Sequence, residues 1–275
     1  MTEIARTVAS VAFVCVACAL WPASAADQSV PNFSPDSTTG WIAAGQEFLA
    51  PASGPGPVTF DPARRPVPGR PAFRVADLSN PILQSWTREE LQKANARALS
   101  GRAAYTPKER CWPIGVPGFV LYPVFPTYFI QTAEKVVMIW AEDHQVRRIY
   151  LNQPHAARVT PSWFGESVGR YEGDTLVVDT IGQNDKSAVD AYRTPHTTKI
   201  HVVERYRVIN GGKGLDTSFT VDDPDAFYKP WGGRRPRFLL PNRPLNDMDQ
   251  ICAAGNEDHF DLGLDPVPQE ATPDF

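Results

Sequence analysis

The chain has 275 residues, 27 of them Pro and 19 Gly, with 42% hydrophobic and 21% charged. Pro at about twice its usual share argues against a helical bundle, because Pro inside a helix costs about 3 kcal/mol. The 27 basic and 31 acidic residues give a formal charge of −4, which leaves no basic footprint for nucleic acid or an anionic membrane surface.

Residues 1–25 read as a secretory signal peptide. Arg6 precedes an apolar run over 8–21, and Pro22-Ala23-Ser24-Ala25 offers small residues at both positions that a signal peptidase reads. The run falls short of the roughly 20 residues that a membrane span needs, and no other segment is long and apolar enough. A periplasmic or secreted protein is therefore expected. Cys15 and Cys18 would leave with the signal, while Cys111 and Cys252 remain. An even pair in an oxidising compartment is expected to form a disulfide; two buried thiols or one reactive Cys are the alternatives.

Residues 26–80 read as a Pro-rich extended arm. Positions 51–71 alone carry seven Pro and three Gly. Phe48, Phe60 and Phe73 suggest that the arm wraps over the core. A core domain is expected over 81–262, followed by a loose tail over 263–275. It opens with one clear helix. Thr87 and Glu90 form a capping-box pattern, Trp86 can staple onto Leu91, and Leu91, Ala94 and Ala98 keep helical spacing up to a stop at Gly101. From Cys111 onward the pattern is β. Short runs rich in Val, Ile, Phe and Tyr fall at 119–122, 128–131, 136–141, 146–151, 168–171, 175–181, 199–208 and 218–221. Turns at Glu172-Gly173-Asp174, Asn210-Gly211-Gly212 and Asp223-Pro224 separate or end several of them. The fold class is mainly β: an antiparallel barrel-like or sandwich core with one helix and a long irregular N-terminal arm.

Strand parity supplies the candidate chemistry. Over 199–208, one face carries Ile200, Val202, Glu204, Tyr206 and Val208, so Glu204 is expected to point into an apolar interior. Such a carboxylate is paired, protonated or functional. Arg148, on a strand face with Val146 and Tyr150, is the expected partner. Asp179 alternates with Val177 and Ile181, and a turn-satisfying role is expected for it. The polar loop 182–198 carries Asp185 and His196, which could join Glu204 in acid–base work. His144, His155, His196, His201 and His259 show no zinc-site spacing, and no metal or cofactor is expected. Trp112, Trp140, Trp163 and Trp231, with Tyr228, could line an apolar or sugar pocket or belong to the core. Gly165-Glu166-Ser167-Val168-Gly169 matches the letters of a nucleophile elbow, but a hairpin strand follows it where a helix is required.

The run from Trp163 to Thr180, WFGESVGRYEGDTLVVDT, resembles the hallmark of a family of exported, largely uncharacterised bacterial proteins. That family commonly has Trp at the Tyr171 position. Further matching pieces are Cys111 with Pro113 and Pro117, Gln131, Arg148, Pro195-His196, Glu204-Arg205, Asp223-Pro224, Lys229-Pro230-Trp231 and Cys252, so the resemblance covers about 85–260. It implies a secreted β-rich domain and brings no established reaction or catalytic residues. Asn152-Gln153-Pro154-His155 departs from the family's Asp-Gly turn before His-Pro, which puts a turn-borne role for His155 in doubt.

The expected function is an exported, cofactor-independent lyase, isomerase or hydrolase acting on a small organic molecule. Glu204 would be the base or acid, with His196, Asp185, Arg148 and Tyr150 as its partners. The alternatives are a periplasmic binding module using Trp140, Trp163, Tyr228 and Trp231, or a structural envelope protein.

Overall fold

In a computed structural model, the described residues are 30–34, 40–43, 47–64, 74–100, 111–121, 125–141 and 145–240. Residues 1–25, Gly101, Cys252 and the tail lie outside them, so the expected signal peptide, helix stop and Cys111–Cys252 disulfide do too. No helix of the described residues is long and apolar enough to cross a membrane.

The strands are β1 (Gly40–Ala43), β2 (Thr127–Gln131), β3 (Lys135–Trp140), β4 (Gln145–Leu151), β5 (Glu166–Glu172), β6 (Thr175–Ile181), β7 (His201–Ile209), β8 (Gly214–Asp222), β9 (Trp231–Arg234) and β10 (Arg237–Leu240). They pair in chain order from β1 to β9, and β10 pairs with both β8 and β1. β9 and β10 follow one line along β8, with Arg234 opposite Ser218 and Arg237 opposite Leu215. The line breaks at Pro236, which has no N–H to give. Nine staves therefore close into a barrel, which leaves no exposed sheet edge along them. The pairings are antiparallel except that β4 and β5 run parallel, with Ile149 opposite Ser167.

Alternation explains the filling of the barrel. Val136, Met138, Trp140, Ile149, Leu176, Val178, Val202, Tyr206, Leu215 and Phe219 all point inward and are buried. The hallmark run forms β5, a tight turn at Gly173 (φ 62°) and β6. Ser167 faces the interior near the start of β5, which turns into β6 rather than a helix, and it bonds Arg147 and Thr180, so the elbow context is absent.

Several expectations are corrected. The run at 119–122 does not form a strand; Gly118–Leu121 is a short buried helix, α2. A short buried apolar run has no periodicity that distinguishes the two. Arg235 Nε donates to Leu121 O and Arg237 donates to Val120 O, which satisfies carbonyls at the end of that helix. The long helix α1 (Ser85–Leu99) exists, but its capping box does not: Gln84 is the N-cap, with no side-chain capping bond. Thr87 instead donates to Ala226 O at 2.8 Å, and Asn95 exchanges two bonds with the Ala76 backbone, so tertiary anchors hold this helix. The arm does more than wrap. It supplies β1, whose Trp41 is buried and donates its indole N–H to Phe33 O at 2.7 Å. The Trp231-Gly232-Gly233-Arg234 stretch, whose two glycines weaken any strand signal in sequence, is β9. Gly233 is required there, because a Cβ would sit 2.4 Å from the Phe219 ring.

Candidate functional site

The structure does not assemble the expected constellation around Glu204. Glu204 is inside the barrel and 0% exposed. Arg147, not Arg148, is its partner, with contacts of 3.0 Å from Nη1 and 2.5 Å from Nη2. On β4 the buried positions are Gln145, Arg147, Ile149 and Leu151, while Val146, Arg148 and Tyr150 face outward. Ile149 and Leu151 fix that face; Val146 and Tyr150, which suggested the other, are surface residues. The Tyr206 hydroxyl also donates to Glu204, and Ser167 and Thr180 bond Arg147. Burial opposes the Arg147 charge, but Glu204 outweighs it and raises the guanidinium pKa. Burial, then the Glu204 charge, raises the Tyr206 phenol. Arg237 lies on the same interior; burial pushes it down to about 10 while Tyr206 and Glu204 oppose the fall.

His196 lies elsewhere, packed with Ser187 under Gly115. Its Nδ1 faces Thr197 O at 3.0 Å and its Nε2 faces Ser187 Oγ at 2.8 Å. A carbonyl only accepts, so the hydrogen sits on Nδ1 and Ser187 donates to Nε2. Both residues are buried and Asp185 is exposed. Burial lowers the His196 pKa, with the Thr197 carbonyl, Asp223 and Asp185 opposing it. Unfolded imidazole takes up a proton near pH 6.5, whereas the folded ring resists, so stability is lost as pH falls below about 6.5. His196→Gln is expected to flatten that limb in urea unfolding followed against pH; an unchanged slope would place the acid-sensitive group elsewhere.

The aromatics do not form one pocket. Trp140 fills the barrel and Trp163 packs with Trp112 at a ring-centroid distance of 5.2 Å. Tyr228 is exposed, and Trp231 is buried against Phe219 and Phe227.

The outer wall of β5–β9 brings together residues that the sequence left scattered. His155, on the connection between β4 and β5, places Nδ1 2.8 Å from Glu166 Oε2 and Nε2 3.1 Å from Asp179 Oδ1. His201, on the outer face of β7, places Nε2 2.8 Å from the same Asp179 oxygen. Glu166 also accepts from Ala156 N–H at 2.9 Å. Asp179 thus bridges two imidazoles, and the turn role expected for it is not the one observed. Because an ionised carboxylate only accepts, the Asp179 contact puts a hydrogen on His201 Nε2 and leaves Nδ1 to take or give a proton. His201 is the most open of the four, its side chain 42% exposed. Parity had put His201 on the outward face; what sequence lacked was the neighbour across the ladder. Among the described residues, no group of three or more His, Cys, Asp or Glu is placed to hold a metal ion.

A groove of about 680 Å³ opens on the same wall. The loop 51–55 forms one side, and Val203, Arg205, Ser218 and Arg234 form part of the other. Val203 is two residues from His201 on the same strand face, about 6.6 Å along β7. The four cluster residues do not themselves line this cleft of small-molecule size; Val203 is the lining residue that stands next to them on the wall.

No protein-family model, curated protein or solved structure matches this chain.

Proposed function

We propose that the protein is an exported, cofactor-independent enzyme acting on a small organic molecule by acid–base chemistry, as a lyase, isomerase or hydrolase, with His201 moving the proton. The observation that carries this reading is the Asp179–His201 pair beside the groove. Asp179 orients the ring and fixes its tautomer, so that Nδ1 is the nitrogen that takes the proton. His155 and Glu166 hold Asp179 from the other side. Glu204, His196, Arg148 and Tyr150 have no part in this proton transfer. Export is supported by the residues 1–25 pattern and by the resemblance of the 163–180 run.

The test uses 5-nitrobenzisoxazole, from which a base removes the C3 proton as the N–O bond breaks and a coloured phenolate forms. His201→Gln is expected to lower it by about 10²–10⁴, the usual worth of a positioned general base. Arg148→Gln is expected to leave it unchanged. Equal rates for the wild type and His201→Gln would overturn the assignment.

The groove itself favours a second reading, a binding module for an apolar or glycosidic ligand. Saturable binding there, with no His201-dependent turnover of any substrate, would select it.

A further inference from the structure

One row of outward side chains crosses the wall through consecutive registered pairs: Arg170, Val177, Arg205, Ser218 and Arg234. Its last three members line the groove. They put a hydroxyl between two guanidinium groups, on strands about 4.8 Å apart. Arg205 donates from Nη2 to Glu172 at 2.6 Å, and Arg234 donates from Nη2 to Asp216 at 3.1 Å. Each guanidinium has five N–H donors, so those contacts leave most of them open. The Ser218 hydroxyl makes no hydrogen bond among the described residues. Among the charged side chains that line the groove, Arg205 and Arg234 stand against Asp216, an excess of one positive charge inside it. Opposite the row, Gly232 N–H donates to Pro55 O at 2.9 Å and fixes a Pro-rich wall.

We infer that Arg205, Ser218 and Arg234 form the subsite for the carboxylate of a small organic acid whose apolar body lies against the loop 51–55. This rests on the groove being the substrate site of the proposed enzyme and names its substrate class. Guanidinium groups match a carboxylate in pairs of parallel hydrogen bonds. The body of the acid then extends along β7 toward Val203 and His201, where the proton is moved. The donors left open on the two guanidinium groups favour an anion: a hydrocarbon offers them no acceptor, and a sugar only neutral hydroxyls, which bond a guanidinium more weakly than a carboxylate does.

The experiment compares 4-nitrobenzoate, its neutral isostere 4-nitrobenzamide and inorganic phosphate, with binding followed by amide chemical shifts of Ser218, Gly232 and Gly233. The benzoate is expected to shift these amides. The Arg205→Gln/Arg234→Gln variant, changed only at half-exposed positions, is expected to bind it about tenfold more weakly, a factor worth about 1.4 kcal/mol. Arg205→Lys/Arg234→Lys should recover part of the loss. The benzamide and phosphate should each bind at least about tenfold more weakly than the benzoate, the first lacking charge and the second an apolar body. The subsite is overturned if the benzamide binds as tightly, if the Gln variant keeps full affinity, or if the benzoate shifts nothing at about 10 mM, where millimolar affinity would show. Equal affinity for phosphate would make it a bare anion site and overturn the organic-acid class. His201→Gln should keep benzoate binding while losing turnover of 5-nitrobenzisoxazole, so the subsite and the proton-transfer role fail separately.

Discussion

Glu204→Ala is expected to cost about 3–5 kcal/mol of folding stability, the range for removing one partner of a buried ion pair. The reason is local. Arg147 is 1% exposed and would keep its charge inside the barrel without an acceptor of equal strength. Tyr206 would lose the oxygen to which its hydroxyl donates. Burying an unpaired charge is far more costly than losing a surface contact. Urea unfolding should show the midpoint falling with little change in slope. The double variant Arg147→Met/Glu204→Leu should recover most of the loss, because it removes both charges and keeps apolar volume. A loss below about 1 kcal/mol, typical of exposed pairs, would mean that solvent reaches the pair. A Glu204 variant that keeps full stability yet loses turnover would return this carboxylate to the catalytic machinery.

Trp41→Ala is expected to cost a similar amount, about 3–5 kcal/mol for truncating a buried Trp. It would also leave Phe33 O without its donor. The position matters as much as the volume. Among the described residues, β1 meets β2 at a single registered pair, Trp41 with Thr127, while four pairs tie β1 to β10. The β1–β2 seam is therefore the thinnest part of the barrel wall. Hydrogen exchange should quicken first at β1 and β2 in Trp41→Ala, before β6–β8 respond. Trp41→Phe should cost less, because it keeps an aromatic body and loses mainly the hydrogen bond. Uniform acceleration over all strands would show that β1 is not a separate weak seam.

Period and turn chemistry alone specify the repetitive parts of this protein. Strict alternation over 201–209 placed Val202, Glu204 and Tyr206 on one face and His201, Val203 and Arg205 on the other, as observed. The turns at Gly173 and at Asn210–Gly212 were legible because their residues suit positive φ. Helix α1 was legible from Leu91 and Ala98, although its caps were not. These features are local: period and turn chemistry act over a few residues.

The remaining features depend on partners far apart in the chain. Arg147 and Arg148 are adjacent, and which of them turns inward depends on the register of β4 against β3 and β5; a shift of one residue would exchange them. β1 and β9 are short, and β9 is Gly-rich, so neither carries a periodic signal; ladder bonds from neighbouring strands make them strands. The cluster of Glu166, His155, Asp179 and His201 joins three strands and a connecting loop. The row of Arg205, Ser218 and Arg234 exists only once β7, β8 and β9 lie side by side. Composition and parity tell which face a side chain takes, but closing the barrel decides which side chains meet on that face, because the neighbours come from registers set over the whole sheet.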